Sequence, residues 1–443
     1  MIQTLDQITL NDEQERALGE ILQAYKTGTE YLLTGPAGTG KTTVVQKIVV
    51  EFLKLGRSVA VTAPTHKAVS VVESKLKASG VNGAECLTIH SLLSLRPKVD
   101  KEVQYFVRAR YAPPVLANVV IIDESSMIGT SMMNHIKRHL RNSFVLFVGD
   151  PAQLPPVGEG VSSTFDTPAA SYLTTIVRQA ADNPVIAAAH VIRASQGGAV
   201  DWSWAQPAQL NDMGVYLPGN DLDRWMQHGY VSDSFANDPD HCRYLCWTNA
   251  RMHEVNRRVR RWLYEDRKTP FSPGERALFR APLVREGEIL IATNEEPTVK
   301  SIEEGVFRFR FQGSGDVSGW IAEIPSWRME VIKANKMPVI VHAPRDADAV
   351  QYVMERTAYE ALGWPERWEH RHEFKTAMAE VQSIYAMTVH VSQGSTFRNA
   401  FVDVRDIRQR ERHNRLEMQQ LLYTAATRPS HALVLHGVPA EAA

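Results

Sequence analysis

A glycine-rich octapeptide near the start of the chain restricts the fold more than any other stretch. It reads Gly35-Pro36-Ala37-Gly38-Thr39-Gly40-Lys41-Thr42, follows an apolar run at 31–33 and opens into a helical pattern of valines and isoleucines at 44–49. A phosphate-binding P-loop requires this order of strand, loop and helix. Glycines allow successive backbone N–H groups to converge on phosphate oxygens, and the helix start adds the positive end of its dipole. The octapeptide therefore predicts a parallel-sheet domain that binds a nucleoside triphosphate.

The groups that would cleave such a phosphate follow a second strand-like run. Lys41 would carry charge to the β- and γ-phosphates, and Thr42 would offer a hydroxyl to Mg²⁺. The apolar run 119–122 ends in Asp123 and Glu124, at the carboxyl end of a buried parallel strand, where open α/β sheets bind their ligands. We expect Asp123 to hold Mg²⁺ and Glu124 to act as the general base for the attacking water.

A third strand-like run, 144–148, leads into a polar and proline-rich segment. This segment reads Gly149-Asp150-Pro151-Ala152-Gln153-Leu154-Pro155-Pro156-Val157. An amide at the tip of a neighbouring parallel strand can reach the γ-phosphate, and the two prolines stiffen the exit of the chain. Gln153 is therefore predicted to sense the γ-phosphate.

The composition is that of a multi-domain globular chain without a general affinity for polyanions. The 443 residues carry 49 Lys and Arg against 50 Asp and Glu, so a nucleic-acid site would need local positive charge. Arginine runs at 251–261 and 405–415 are candidates, although such runs are commonly solvated helix faces. The three cysteines lack metal-ligand spacing, and no apolar run is long enough for a membrane span. We expect a reduced, cytoplasmic location without membrane or zinc.

Further short motifs occur in a fixed order along the chain. Besides the P-loop and the segment 149–157, they lie at 10–14, 63–68, 88–91, 177–179, 388–396 and 422–428. In this order they resemble the Q motif and motifs Ia, Ib, IV, V and VI of superfamily 1 helicases, and 149–157 is similar to motif III. The likeness is greatest to the RecD/Dda group, and within it to the Dda helicases of T-even phages. It implies movement from 5′ to 3′ on single-stranded DNA, driven by ATP because Gln14 of the Q motif reads adenine.

The resemblance also assigns roles to motif residues. The implied catalytic residues are Lys41, Glu124, Gln153, Arg178 and Arg428, the two arginines being fingers that reach the γ-phosphate. The implied nucleotide-binding residues are Gln14, Gly35, Pro36, Ala37, Gly38, Thr39, Gly40, Lys41, Thr42, Thr43, Asp123 and Gly394, with Thr42 and Asp123 as ligands of Mg²⁺. The implied DNA contacts are Pro64, Thr65, His66, Thr88, His90, Phe106, Thr248, Asn249, Thr388, His390 and Ser395. Such short donors and flat rings suit phosphates and base stacking, so we expect little base-sequence specificity.

The predicted fold class is α/β, with two RecA-like parallel-sheet domains, a small β-hairpin insertion, and an SH3-like β-barrel plus helical insertion. The first domain covers 1–165. The second covers 166–270 and 381–443, because strand-like runs at 243–248 and 432–436 form another α/β layer without a P-loop. Such a pair binds ATP in the crevice between its domains, which couples hydrolysis to closing and opening.

The first insertion covers about 93–115. Apolar and polar residues alternate at 103–108, which predicts a hairpin. In Dda-like proteins an insertion at this place forms the pin that splits the duplex, and Phe106 aligns best with its aromatic residue. Tyr105 is the alternative aromatic, and a simple capping hairpin is the alternative interpretation of the whole insertion.

The second insertion covers 271–380. Its residues alternate at 307–311, short strand-like runs occur at 288–292 and 338–342, and a helical, polar stretch follows at 346–378. This pattern predicts a small β-barrel followed by helices. The resemblance identifies the pair as an SH3-like barrel with a helical tower.

Two alternative functions are compatible with the same motifs. The first is a translocase that walks on single strands or displaces proteins from them but separates duplexes weakly. The second is a binding protein that uses ATP as a switch, which the predicted catalytic groups disfavour. The implied partners are single-stranded DNA and forked duplex DNA, with single-stranded-DNA-binding or replication proteins, in the cytoplasm of a phage-infected or bacterial host.

Overall fold

The computed structural model describes residues 9–100, 103–177, 182–264, 268–313, 318–363 and 367–439, which form two compact units. The larger unit contains the chain up to Ser94, Tyr111–Val259, and the chain from Tyr385 onward. The smaller unit combines Leu95–Arg110 with Arg260–Ile384. The hairpin region therefore belongs to the same unit as the second insertion. In the described part of the chain, no helix is both long enough and apolar enough to cross a membrane.

The strands are short except for two in the smaller unit. In chain order they are β1 (Glu30–Thr34), β2 (Val59–Ala63), β3 (Glu85–Thr88), β4 (Leu95–Asp100), β5 (Val103–Arg108), β6 (Val119–Ile122), β7 (Phe144–Gly149), β8 (Ala170–Tyr172), β9 (Ala208–Leu210), β10 (Met213–Tyr216), β11 (Cys242–Cys246), β12 (Ala277–Phe279), β13 (Leu283–Arg285), β14 (Glu288–Ile291), β15 (Thr298–Phe311), β16 (Trp320–Ile332), β17 (Pro338–Pro344), β18 (Val381–Ser383), β19 (Ala386–Thr388), β20 (Phe397–Asp403) and β21 (Pro429–His436).

The α-helices alternate with the strands of the larger unit and follow the long strands of the smaller one. They are α1 (Asp12–Thr27), α2 (Lys41–Lys54), α3 (His66–Ala78), α4 (Ile89–Leu92), α5 (Thr130–His139), α6 (Pro184–Ala194), α7 (Leu222–Tyr230), α8 (Asp233–Asn237), α9 (Asn249–Leu263), α10 (Ala347–Gly363), α11 (Arg367–Ala377), α12 (Val404–Arg408) and α13 (Arg415–Ala426).

Lobe 1 of the larger unit is built on a six-stranded sheet in the order β3-β2-β6-β7-β1-β8, in which all strands are parallel. β6 and β7 are buried along their whole length, as expected for parallel strands that are covered on both faces. β8 pairs with β1, so this lobe extends past the predicted bound at residue 165.

Lobe 2 of the larger unit is built on a second six-stranded sheet, in the order β19-β11-β20-β21-β10-β9. Its strands are parallel except for the edge strand β9, which runs antiparallel to β10. Residues of α6 and α13 pack into its core. Two lobes with parallel sheets confirm the predicted α/β fold class.

The carboxyl ends of parallel strands meet at one edge of a sheet, which positions the predicted site. In lobe 1 the P-loop follows β1, the carboxylates Asp123 and Glu124 follow β6, and Gln153 lies in the loop after β7. β6, β7 and β1 are neighbours in the sheet, so the three segments are brought together at this edge.

The smaller unit contains the hairpin and the strands of the second insertion. β4 and β5 pair antiparallel as a hairpin. β15, β16 and β17 form a three-stranded antiparallel sheet, while β12 pairs with β18 and β13 with β14. Helices α10 and α11 occupy the predicted helical stretch. Apart from the hairpin, the described strands of this unit pair as three separate sheets, so the SH3-like barrel stays a prediction.

Candidate active site

The loop between β1 and α2 has the backbone shape of a phosphate cradle. It holds the predicted nucleotide-binding residues Gly35, Pro36, Ala37, Gly38, Thr39 and Gly40, and α2 begins with Lys41, Thr42 and Thr43. Gly38 and Gly40 have φ angles of 84° and 78°, in the left-handed region that favours glycine. A Cβ atom on Gly40 would collide with the side chain of Gln14. Gln14 is buried and donates from Nε2 to the Thr39 carbonyl at 2.9 Å, so the predicted adenine reader lies against the P-loop.

Lys41 is partly buried beside the P-loop and is influenced by three carboxylates. Its ammonium group donates to two carbonyl oxygens of the P-loop, at 2.5 and 3.0 Å. Burial lowers the pKa of Lys41, and the charges of Asp150, Glu124 and Asp123 oppose that shift. One cation and three carboxylates therefore act on each other at the edge of lobe 1.

The residues at this edge fit a magnesium–nucleotide complex. Burial and the charge of Glu124 raise the pKa of Asp123 to about 6, so a nearby cation would stabilise its ionised form. Carboxylate and hydroxyl oxygens, such as those of Asp123 and Thr42, are the ligands that Mg²⁺ prefers. Ser125 Oγ, Ser126 Oγ and Gln153 Oε1, in the segments that follow β6 and β7, are among the described buried atoms that have no hydrogen-bond partner in the protein. Buried polar groups are normally paired, so these oxygens are suited to a bound polar ligand.

Glu124 is held in a strained backbone conformation. Its φ and ψ angles are 52° and 41°, in the left-handed region that non-glycine residues rarely adopt. Such strain is concentrated at functional sites, where the surrounding structure maintains it. The Glu124 N–H donates to Asp123 Oδ1 at 2.9 Å, which fixes the two carboxylates relative to each other.

Arg428 of lobe 2 reaches the same carboxylate from the opposite side of a crevice between the lobes. Its Nη1 lies 3.9 Å from Glu124 Oε1. The guanidinium is buried and donates to the carbonyl oxygens of Thr424 at 3.0 Å and Ser395 at 3.3 Å. The structure thus brings one predicted finger to the predicted general base. The other predicted finger, Arg178, lies outside the described residues.

Gln153 lies in a lobe 1 loop that is anchored in lobe 2. Its neighbours Ala152 and Leu154 are buried in the hydrophobic core of lobe 2. The backbone N–H of Leu154 donates to Thr424 Oγ1 at 3.2 Å, and its carbonyl accepts from Gln393 at 3.1 Å. The predicted γ-phosphate sensor is therefore held between the lobes.

The lobe 1 residues predicted to contact DNA lie in the loop after β2, at the last residue of β3 and at the helix starts that follow, namely Pro64, Thr65, His66, Thr88 and His90. The hydroxyl oxygens of Thr65 and Thr88 accept backbone N–H groups at 3.2 Å and so cap α3 and α4. Burial, with the charges of His66 and His135, lowers the pKa of His90 to about 4. An uncharged His90 ring at neutral pH suits stacking rather than attraction to phosphate.

The corresponding lobe 2 residues follow β11, or lie at the last residue of β19 and after it, namely Thr248, Asn249, Thr388, His390 and Ser395. The hydroxyl of Thr248 donates to Asp406 at 2.8 Å and accepts from the Arg251 N–H at 3.3 Å, so it caps α9. Asn249, the first residue of α9, is exposed. Burial lowers the pKa of His390. Of the pair at the start of α9, Asn249 is therefore the more exposed side chain.

Gly394 lies at a contact between the lobes. It has a φ angle of 72°, and a Cβ atom there would be 2.6 Å from Ala68 Cβ and 3.4 Å from Thr65 Oγ1. Nearby, Lys67 of lobe 1 pairs with Asp240 of lobe 2. The predicted nucleotide contact of Gly394 stays a prediction, since its observed neighbours are beside the predicted DNA residues of lobe 1.

The two candidate pin residues are adjacent on β5 in the smaller unit. Phe106 pairs with Pro97 and is half-buried, whereas Tyr105 pairs with Lys98 and is 43% exposed. The guanidinium of Arg96, at the base of the hairpin, donates to the Gly287 carbonyl in the turn between β13 and β14. The hairpin is therefore tied to the second insertion.

Comparisons with known proteins cover nearly all of the chain. Residues 9–207 match an AAA domain family, and residues 383–436 match the UvrD-like helicase C-terminal domain family. An uncharacterized protein of Acanthamoeba polyphaga mimivirus is 25% identical over 96% of this chain and 99% of its own length. The ATP-dependent DNA helicase dda of Enterobacteria phage T4 is 23% identical over 96% of this chain and 98% of its own. The chain is a superfamily 1 helicase of the RecD/Dda type.

The shared fold of this superfamily 1 chain extends to solved structures. A Pif1 helicase from Bacteroides in complex with ADP-AlF3 and single-stranded DNA has a TM-score of 0.51 at 17% identity, over 98% of this chain and 94% of that one. The likeness confirms the two-lobed α/β fold. Because relatives from a phage and from a mimivirus both span the whole chain, the phage setting stays a prediction.

Three residues of this superfamily 1 helicase that we did not predict also reach lobe 1 from lobe 2. The hydroxyl of Tyr423 donates to Asp150 at 2.5 Å and accepts from the backbone N–H of Ala37 at 3.1 Å. Arg193 donates to Asp150 at 3.2 Å, and His190 bonds the Ala37 carbonyl at 3.0 Å. Tyr423 and Asp150 both lie within the motifs that carry the resemblance, so the sequence offered a reason to consider them. Arg193 and His190 lie in a helix with an apolar pattern, and nothing in that pattern indicated a role at the site.

Proposed function

We propose that this chain is an ATP-dependent DNA helicase that moves 5′ to 3′ on single-stranded DNA and separates duplex DNA with the hairpin β4–β5. The observation that carries the proposal is the position of Arg428. A guanidinium of lobe 2 lies 3.9 Å from the carboxylate of Glu124 in lobe 1, beside the P-loop. Such a site is complete only when the two lobes are together, so phosphate cleavage and lobe movement are coupled.

Each residue of the crevice has a distinct task in hydrolysis. The P-loop amides and Lys41 bind the phosphates, and Glu124 accepts a proton from the attacking water. Gln153 senses the γ-phosphate. Arg428 and Arg178 stabilise the negative charge that develops on the transferred group. Thr42 and Asp123 would hold Mg²⁺, which would supply further positive charge to the nucleotide.

Single-stranded DNA is proposed to cross the carboxyl edges of both sheets. Lobe 1 would contact it through Pro64, Thr65, His66, Thr88 and His90, and lobe 2 through Asn249, Thr248, Thr388, His390 and Ser395. Flat rings, such as the uncharged ring of His90, and short polar groups favour stacking and phosphate contacts over base-edge recognition. Alternate closing and opening of the crevice would then move one lobe along the strand relative to the other. The polarity of movement is taken from the likeness to the RecD/Dda group.

The hairpin is proposed to act as the pin that divides the fork. It belongs to the same compact unit as the second insertion, and Arg96 ties the two together. We propose that the sheet β15–β17 and its neighbouring ribbons form the SH3-like barrel of this group, with α10 and α11 as the tower. A pin held by a folded support can resist the duplex, whereas an isolated two-stranded hairpin is only marginally stable in water.

Unwinding of tailed duplexes tests the proposed function directly. With ATP, the full chain should separate a fork with a single-stranded 5′ tail and leave a fork with only a 3′ tail intact. Separation of the 3′-tailed fork alone would contradict the polarity. Rapid ATP turnover on single strands without separation of either fork would identify a translocase instead. No turnover at all would identify a binding protein.

The change Phe106→Ala should lower the rate of strand separation by about tenfold, because one aromatic stack on a base contributes about 1–3 kcal/mol. ATP hydrolysis stimulated by single-stranded DNA should persist, since the hairpin lies outside the larger unit. Gel-based unwinding and phosphate release measure the two rates in the same preparation. The change Tyr105→Ala, on the adjacent residue of β5, tests the alternative pin residue in the same assays, and a loss of unwinding in Tyr105→Ala alone would assign the pin role to Tyr105. An equal loss of unwinding and ATPase in Phe106→Ala would contradict a pin role.

A further inference from the structure

The P-loop residue Ala37 is bonded on both of its backbone polar groups by side chains of lobe 2. Its N–H donates to the hydroxyl of Tyr423 at 3.1 Å, on α13. Its carbonyl accepts from Nε2 of His190 at 3.0 Å, on α6, so this ring nitrogen carries the proton. Ala37 precedes Lys41 by four positions in the loop that cradles phosphate. Lobe 2 therefore contacts the cradle itself and not only its surroundings.

Asp150 anchors these contacts in lobe 1. Its side chain is fully buried, and its two carboxylate oxygens are bonded to different elements of lobe 2. Oδ2 accepts from the Tyr423 hydroxyl at 2.5 Å, and Oδ1 accepts from Arg193 at 3.2 Å. Hydrogen bonds to a charged acceptor are stronger than neutral ones, and a buried carboxylate without its partners would be costly. The chain of bonds thus runs from the Ala37 N–H through the Tyr423 hydroxyl to Asp150.

Tyr423 lies on the helix that comes just before the finger residue Arg428 in the chain. α13 ends at Ala426, and Arg428 follows two residues later, with its guanidinium donating back to the Thr424 carbonyl. A bond that fixes Tyr423 to lobe 1 therefore fixes the end of the helix from which Arg428 projects. Rates of bound reactants depend steeply on such alignment, since a misplacement of about 1 Å can cost about 10²-fold.

We propose that Tyr423, Asp150 and His190 form a clamp that positions Arg428 over the P-loop, so that Tyr423 is a positioning residue for ATP hydrolysis. The proposal rests on the proposed function, because it assigns how the same site becomes competent. The proposal assigns nucleotide binding and nucleotide turnover to different groups. The P-loop of lobe 1 binds the nucleotide, while the clamp sets the place of the lobe 2 finger.

The clamp is not the sole connection between the lobes. Ala152 and Leu154 are buried in the lobe 2 core, and Lys67 pairs with Asp240. Loss of the Tyr423 hydroxyl should therefore leave the lobes associated and change only their alignment. This property makes the substitution Tyr423→Phe a test of position, because the buried ring is retained.

In Tyr423→Phe, we expect the turnover number of DNA-stimulated ATP hydrolysis to fall by about tenfold or more. The dissociation constant for ATP, measured by equilibrium binding without DNA, should stay within about threefold because the phosphate donors are in lobe 1. Hydrogen–deuterium exchange of the nucleotide-free protein gives an independent readout. The P-loop peptide should exchange faster, because the Ala37 N–H has lost its acceptor. A second variant, His190→Ala, should also lower the turnover number of DNA-stimulated ATP hydrolysis.

The chain provides a chemically matched control. Tyr244 donates its hydroxyl to the buried Asp403 at 2.6 Å, and Arg251 bonds the same carboxylate at 2.7 Å, all within lobe 2. Tyr244→Phe therefore deletes the same kind of hydrogen bond away from the P-loop. Both Tyr244→Phe and Tyr423→Phe should lower the melting temperature, because each deletes a hydrogen bond to a buried carboxylate. In Tyr244→Phe, however, turnover at saturating DNA and hydrogen exchange of the P-loop peptide should stay at the wild-type values.

The outcomes separate the clamp from the proposed function. Wild-type turnover in Tyr423→Phe, unchanged exchange of its P-loop peptide, or an equal loss of turnover in Tyr244→Phe would each overturn the clamp. If the wild-type chain itself shows no ATPase stimulation by DNA, the proposed function fails. The exchange of the P-loop peptide would still test the clamp in that case.

Discussion

Replacing Arg428 with lysine should lower the turnover number for ATP by about 10³-fold, the lower end of the effect known for arginine fingers. Lysine keeps the positive charge but loses the planar fork, which matches phosphate geometry. The guanidinium lies 3.9 Å from Glu124 and is held by the carbonyl oxygens of Thr424 and Ser395. Single-turnover phosphate release in the presence of single-stranded DNA measures the loss, and ATP binding should be little changed.

Arg367 offers a matched control for this substitution. It is an equally buried arginine, paired with Glu360 in the smaller unit. Arg367→Lys should therefore carry a similar cost in stability without a loss of turnover. Hydrolysis at the wild-type rate in Arg428→Lys would remove Arg428 from the catalytic site.

Replacing Lys41 with alanine should reduce hydrolysis by at least about 10²-fold, as expected when a group that stabilises the transition-state charge is removed. Lys41 is the cation whose pKa is raised by the charges of Asp150, Glu124 and Asp123 against the effect of burial. The residues proposed to contact DNA lie in other loops, so binding of a labelled oligonucleotide, measured by fluorescence anisotropy, should be largely retained.

Lys54→Ala is the control on the same helix. Lys54 lies in the last turn of α2, is exposed, and pairs with Glu51 at 3.1 Å. Its removal should leave ATPase and DNA binding unchanged, because surface ion pairs contribute little. Robust ATP hydrolysis by Lys41→Ala would contradict the assignment of the P-loop.

The parts of the site that could be predicted are those encoded by local sequence. A P-loop is a continuous strand–loop–helix, so the octapeptide specified its own backbone, including the left-handed Gly38 and Gly40. Asp123 and Glu124 follow a fully buried strand, and the parallel order of β6 and β1 brings them to the P-loop. The fold class followed from the same patterns.

The remaining contacts depend on long-range packing, which periodicity does not report. Ala37 and Tyr423 are bonded although they are far apart in the chain, and only the closure of lobe 2 on lobe 1 brings them together. The same is true of His190, whose helix carries an apolar pattern that predicts only a core element. The hairpin likewise alternates like a half-buried strand, but nothing local indicated that it belongs with residues 260–384.

Some residues that were predicted to bind a ligand form hydrogen bonds within the protein instead. Thr248 was predicted as a DNA contact, and its hydroxyl is engaged by Asp406 and the Arg251 N–H. Gln14 was predicted to read adenine, and its amide bonds the Thr39 carbonyl of the P-loop. Both residues still border the proposed ligands, but their hydrogen bonds organise the loops around them. Sequence position alone cannot separate these two tasks, because the same polar side chain serves either.

The central claim is that ATP is cleaved between two lobes that both hold one DNA strand. Steady-state ATP turnover of the full chain, with and without saturating oligo(dT), tests it most directly. Because the strand would favour the closed crevice in which Arg428 faces the γ-phosphate, turnover should rise well above the DNA-free rate. Identical turnover with and without the oligonucleotide, at concentrations where anisotropy shows it bound, would contradict the claim.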